Sequence, residues 1–277
     1  MLKFGCCLNM NAKDEYGIGY ADIEAVAAAG FDYVELPLAE MMALDAGGVS
    51  RLKNRLRSAG MRCYSCNNFF PKGIRLTGED RQMPRILEYV AASLNRAAEM
   101  GACRIVFGSG PAKNVPDGFP MERGYDQVVE LLRRVGAMAE QYGGLLVTIE
   151  PLRKAECNLI NRFSEGVQLA RDVASRHIRV LVDFYHLSVE DEPLSHLERD
   201  GAAYLRHVHF AHPDGRCFPL DSEAAAAYVH FFRTLKQIGY TGGVSLEAYS
   251  GDLSKEAPIA NRVLRQVSDL AEHAVCG

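Results

Sequence analysis

Four ionisable residues stand where apolar runs end. LLVTIE closes on Glu150, RVLVD on Asp183 and GVSLE on Glu247, and RHVHF carries His209 next to its last position. Each run reads as a strand bound for burial, and four such groups collected at one rim would repel one another or lose hydration unless a cation joined them. A divalent metal meets that need. Three carboxylates and one imidazole form a hard to borderline donor set, which suits six-coordinate Mn²⁺, Co²⁺ or Mg²⁺ better than structural Zn²⁺. Four protein ligands also leave positions open for a substrate. Singly, each residue has a plainer reading: an acid at a strand end caps the next loop, and a lone strand His is a hydrogen-bonded core residue. Their shared position on neighbouring strands favours the metal.

The elements that must hold these residues alternate along the chain. Apolar runs predict strands over 2–8, 33–36, 61–65, 103–107, 145–150, 178–183, 205–210 and 244–247. Segments with helical spacing lie between them, near 21–29, 50–59, 84–100, 124–142, 163–175, 193–200, 224–238 and 254–273. Gly30, Gly60, Gly101, Gly143 and Gly239 each fall just after a helix, where a left-handed cap is wanted. Eight βα units in about 250 residues predict a single α/β domain over 1–277, a (β/α)8 TIM barrel with its active site at the C-terminal ends of the strands. An open doubly wound sheet is the competing architecture. It would want G-x-G-x-x-G after the first strand, where NMNAKDEYG stands, so no nucleotide cofactor is expected.

Composition narrows the partners. The 277 residues are 48% hydrophobic and 24% charged, with 31 Lys and Arg against 35 Asp and Glu, a net charge of 31 − 35 = −4. That balance offers no basic excess for a phosphate backbone, so nucleic acid is not an expected partner. No apolar stretch approaches membrane length, and the start MLKFGCCLNMNAKDEYG turns polar early, which reads as a cytoplasmic protein without a membrane partner. Cysteines at 6, 7, 63, 66, 103, 157, 217 and 276 are too scattered for a disulfide framework and read as reduced thiols. Cys63 and Cys66 form C-x-x-C but lead into NNFFP rather than a helix, which disfavours redox chemistry.

The segments VTIEPLRKAECNLIN, VLVDFYHL, RHVHFAHPDGR and VSLEAY resemble the xylose-isomerase-like TIM-barrel superfamily of sugar isomerases and epimerases, particularly its ketose 3-epimerases. The resemblance implies that Glu150, Asp183, His209 and Glu247 bind a divalent metal, Mn²⁺ first, and that Glu150 and Glu247 are also the acid/base pair. It further implies that His186 and Arg216 hold substrate oxygens and that Glu156 is a further substrate contact. The first half would shape the pocket through Glu35, Cys66, Asn67, Asn68, Phe69 and Ser109, with Cys66 and Asn67 as substrate contacts. One departure stands out: the epimerases carry a P-G-x-G-like loop after the strand-seven His, whereas here residues 213–219 read PDGRCFP.

The implied activity is epimerisation of a carbon next to a ketone, through an enediolate, in a ketose or keto-glycoside. Two alternatives share the first proton abstraction: a hydroxypyruvate-isomerase-like aldose–ketose isomerase, and a lyase or dehydratase acting on a keto-sugar or keto-inositol. A repair endonuclease on the same barrel would need His ligands from early strands, and no His precedes His177. A homodimer or homotetramer is a family-level expectation. Of the remaining polar residues, His207 is expected in a hydrogen-bonded core or metal-supporting role. His177, His196, His230 and His273 read as surface or capping groups, and the run Glu190-Asp191-Glu192 as solvated.

Overall fold

A computed structural model describes residues 2–221 and 225–273. Cys276, the expected helix start at 224 and the side chain of His273 lie outside the description. The apolar runs form β1 (Lys3–Cys7), β2 (Tyr33–Pro37), β3 (Cys63–Asn67), β4 (Arg104–Phe107), β5 (Leu146–Ile149), β6 (Ile178–Asp183), β7 (Leu205–Phe210) and β8 (Gly243–Leu246). Neighbours pair in parallel in chain order and β8 closes on β1, so the sheet is a barrel with no free edge.

Each strand is followed by a helix laid on the outside of the barrel. In Met83–Glu99, Ile86, Val90, Leu94 and Ala97 recur at helical spacing and are buried, which turns one face onto the sheet. Ala46–Ser58 begins earlier than its apolar pattern suggests because the Asp45 carboxylate accepts the Gly48 N–H at 2.6 Å, a cap worth about 1 kcal/mol. The short helices Leu38–Met41, Gly110–Lys113 and Phe184–Val189 follow β2, β4 and β6, and none is long enough to show a helical period in sequence. Glu192 departs from its solvated reading: it is buried, accepting the Phe163 N–H at 2.8 Å and pairing with Nδ1 of His196 at 2.7 Å. His177 is likewise buried, its Nδ1 3.0 Å from the Leu145 carbonyl.

The five expected glycine caps all have positive φ. Helix Phe163–Val173 ends instead on exposed Ala174 at φ +55°. A Cβ in that region costs about 1–2 kcal/mol, and the extra unfolded-state freedom of Gly offsets about 0.5–1 kcal/mol. Ala174→Gly is therefore expected to stabilise by about 0.5–1 kcal/mol. A urea midpoint no higher than the parent's would refute the assignment of strain to this residue.

The large apolar cluster fills the space between strands and helices. The barrel interior is different. Counting back by two along the strands, most inward positions are buried and polar, carrying Glu35, Ser65, Thr148, His207 and Ser245, with Leu181 two before Asp183 as an apolar exception. Gly5 is required here, since a Cβ on it would lie 2.0 Å from the Tyr33 ring that fills the lower interior. Two register shifts set this pattern. Tyr64 is an extra residue of β3 opposite Val34 and Glu35, and Arg206 is an extra residue of β7 opposite Val180 and Leu181.

Candidate active site

β5 to β8 deliver the four rim residues to one place. Asp183 ends β6 and His209 is the penultimate residue of β7, while Glu150 and Glu247 directly follow β5 and β8. Both Glu residues still extend the barrel ladder, donating backbone N–H groups to the Phe107 and Phe210 carbonyls at 3.2 and 3.0 Å. Their Cα positions are therefore set by the sheet rather than by a loop. One ligand atom from each of Glu150, Asp183, His209 and Glu247 lies within 4.8 Å of the others, and all four residues are buried. Nδ1 of His209 is 3.0 Å from Glu150 and 3.1 Å from Glu247.

Electrostatics show how crowded this cluster is. Burial pushes the Asp183 carboxyl up to about 7, and burial with the Glu247 charge raises Glu150. Against the same burial, His209 and Arg216 hold Glu247 well below the carboxylate range. His209 is raised despite burial because Glu247, Glu35 and Glu150 surround it. Three carboxylates and an imidazole packed this tightly fit a divalent cation, which would relieve the repulsion that the raised Asp183 and Glu150 register. Cys7 also lies close to His209 and Glu247. Burial keeps its thiol protonated, so it is a poor ligand for a hard ion.

A proton on Asp183 competes with any cation that enters. The sign follows: below about pH 7 Asp183 is largely protonated, so capture releases a proton there and weakens as the pH falls. An ion held by this cluster is expected to lose at least about tenfold in affinity between pH 8 and pH 6, since the raised His209 must give up a proton as well. Calorimetric titrations giving one dissociation constant at both values would exclude Asp183 as a titrating ligand.

Above the cluster opens a cavity of about 630 Å³, lined at its floor by Glu150, Glu156, Arg216 and Glu247. Arg216, held at φ +49°, pairs with Glu247, lies 3.5 Å from Asp183 and 3.7 Å from Glu156, and stacks over the Tyr185 ring. It is a fixed cation at the cavity floor, despite the altered loop. Glu156 is also tied to Arg153 at 2.7 Å. Asn67 is buried and donates to Glu247 at 3.0 Å and Asn9 at 2.9 Å, so it orients a rim carboxylate.

Three expected substrate contacts do not line the cavity, Asn67 beside Glu247 among them. Cys66 does not reach the cavity, because the extra residue Tyr64 turns both Cys63 and Cys66 into the outer apolar cluster. Their sulfurs lie 3.8 Å apart, and the Cys63 contact together with burial raises the Cys66 thiol, the opposite of a redox-active Cys. His186 does not line the cavity either. Its Nδ1 accepts the Arg153 N–H at 3.2 Å, and Nε2 lies 3.6 Å from Asp183 without a hydrogen-bond partner. Burial holds this ring down at about 3, hence neutral, and its Nε2 also lies 3.9 Å from the Glu156 carboxylate. Glu35, expected at the pocket, is fully enclosed beneath the floor.

Sequence reasoning missed Lys113. It is fully buried, and its Nζ donates to the Glu150 carbonyl at 3.1 Å. Nothing in PAKN signals that placement. A Cβ on Gly108 would sit 2.2 Å from Oε2 of Glu150, a close approach that no local motif specifies.

The fold and this floor define a (β/α)8 barrel with a rim site suited to a cation and a small polar ligand. The family model described as xylose isomerase-like TIM barrel matches residues 23–267, and the chain belongs to that family. A ketose 3-epimerase from Arthrobacter globiformis is 25% identical over 287 residues, spanning 99% of this chain and 94% of that protein. The structure of an L-ribulose 3-epimerase superposes with a TM-score of 0.83 at 17% identity, covering 99% of this chain and 97% of the other. A 3-keto-D-glucoside 4-epimerase from E. coli superposes with a TM-score of 0.77 at 18% identity, covering 96% and 100%. These relatives are sugar epimerases, and the structural likenesses show the shared barrel. Among the described residues, no helix is long and apolar enough to cross a membrane.

Proposed function

We propose that this chain is a divalent-metal-dependent sugar epimerase that inverts a carbon next to a ketone in a ketose or keto-glycoside. The observation that carries the reading is the pair Glu150 and Glu247, both on the cavity floor and both beside Nδ1 of His209. The sugar epimerases among its relatives support the substrate class. Glu150, Asp183, His209 and Glu247 would hold the metal, with Mn²⁺ the first candidate. When bound, a divalent ion supplies Lewis-acid polarisation of a ketone and its neighbouring hydroxyl.

The residues of the chain do the rest. Glu247, kept ionised by His209 and Arg216, is the base that takes the carbon-bound proton. Glu150, raised by burial and by Glu247, is the acid that returns a proton from the other side. Arg216 faces the negative charge that develops on the substrate oxygens. Asn67 fixes the Glu247 carboxylate through its 3.0 Å hydrogen bond, and Gly108 leaves room for that of Glu150.

The test is proton NMR in D₂O after incubation of the Mn²⁺-loaded protein with ketohexoses, 3-keto-glycosides and hydroxypyruvate. Epimerisation is expected to place deuterium on the inverted carbon of a ketose or keto-glycoside. Label moved to the neighbouring carbon with aldose formation would identify an isomerase instead, and loss of a hydroxyl would identify a dehydratase.

A further inference from the structure

Beneath the rim cluster lies a buried group that the proposed chemistry does not use. Glu35 on β2 is fully enclosed inside the barrel, and its two oxygens divide their partners. Oε1 lies 2.9 Å from Nε2 of His209. Oε2 lies 2.8 Å from Nε2 of His207 and accepts the hydroxyls of Ser65 at 2.6 Å and Ser245 at 2.5 Å. The Tyr33 hydroxyl extends the chain to Ser245 at 3.0 Å, in space that Gly5 and Gly243 leave for its ring.

An ionised carboxylate only accepts hydrogen bonds, so all four of these neighbours must donate. Each imidazole therefore carries a proton on Nε2. Nδ1 of His207 has no partner, as expected for a bare lone pair in that tautomer. On His209 the same bond turns Nδ1 toward Glu150 and Glu247, at 3.0 and 3.1 Å. Without an ion, a proton on Nδ1 meets those carboxylates and keeps His209 raised; a bound ion would take that proton's place.

We infer that Glu35 is a positioning residue for the metal centre, fixing the ring plane and tautomer of His209 so that Nδ1 is offered to the ion. The inference rests on the metal-binding reading above. Glu35 does this from across the barrel, reaching from β2 to β7, and Ser65 and Ser245 hold its carboxylate from β3 and β8. A carboxylate behind a ligating imidazole raises its donor strength and removes its rotational freedom.

The test uses the full-length protein with ¹⁵N-labelled histidine. Mn²⁺ affinity is measured by calorimetry, and the tautomer by NMR on the protein loaded with diamagnetic Mg²⁺. In the parent, His209 is expected to carry a proton on Nε2 and none on Nδ1. Glu35→Gln is expected to weaken Mn²⁺ binding by about 10–100-fold and to shift or erase the His209 Nε2–H signal. His207→Gln keeps an N–H donor toward Glu35 and is expected to stay within about threefold of the parent. Parental Mn²⁺ affinity in Glu35→Gln overturns the positioning role alone. A parent protein with the His209 proton on Nδ1 also overturns it, and that measurement needs no variant to fold. A parent protein that binds no Mn²⁺ overturns the metal reading and this inference with it.

Discussion

Glu150→Gln and Glu247→Gln are each expected to lower turnover by about 10³-fold or more, since in the proposed mechanism each removes a proton-transfer group and weakens a metal ligand while keeping the shape of the side chain. Isotope exchange separates the two roles. If the pair works from opposite faces of the carbon, a protein lacking one base can still exchange the proton that faces the other. It would label one epimer with deuterium without forming its partner. The folds should respond differently as well. Glu150 is raised by burial and by Glu247, so its neutral replacement relieves repulsion in the metal-free protein. Glu247 pairs with Arg216 and His209, so its replacement leaves those cations short of a partner and lowers the melting temperature. Full activity in either variant would remove the mechanism.

Gly108→Ala is expected to cost about 100-fold in kcat/KM with little loss of stability. The added Cβ would stand 2.2 Å from Oε2 of Glu150, far inside van der Waals contact. Gly108 has an ordinary negative-φ backbone, so nothing forbids the residue itself. The group that gives way is the far end of the Glu150 side chain, because its Cα is held in the ladder by the Phe107 carbonyl. A carboxylate displaced by about 1 Å at the reacting carbon forfeits the alignment that proton transfer requires. The variant should therefore unfold at nearly the parental denaturant concentration, bind Mn²⁺ more weakly and turn over slowly. Parental kinetics would show that Glu150 has slack on that side and need not occupy its observed position.

Two features of this protein are settled by local sequence. The barrel follows from eight apolar runs each answered by a helical segment, and the observed strands fall on all eight. The gathering of Glu150, Asp183, His209 and Glu247 at one rim follows too, because each stands at the end of its strand and the four strands are neighbours. Arg216 and Glu156 line the cavity, although the loop carrying Arg216 departs from its family's form.

What lies one layer beneath was decided by the tertiary structure. Two extra residues, Tyr64 in β3 and Arg206 in β7, shift which side chains face inward, and inserted residues of this kind leave no trace in composition or spacing. The first turns Cys66 outward and Ser65 inward, and the second leaves His207 and His209 both facing Glu35 in the barrel interior. Glu35, Lys113 and Gly108 owe their placement to partners 174, 37 and 42 residues away in the chain: His209, the Glu150 carbonyl and the Glu150 carboxylate. Local sequence sets which residues a strand end can offer. Closure of the barrel decides which side chains then meet across it, because side chains distant in sequence come within bonding distance only once β8 pairs with β1.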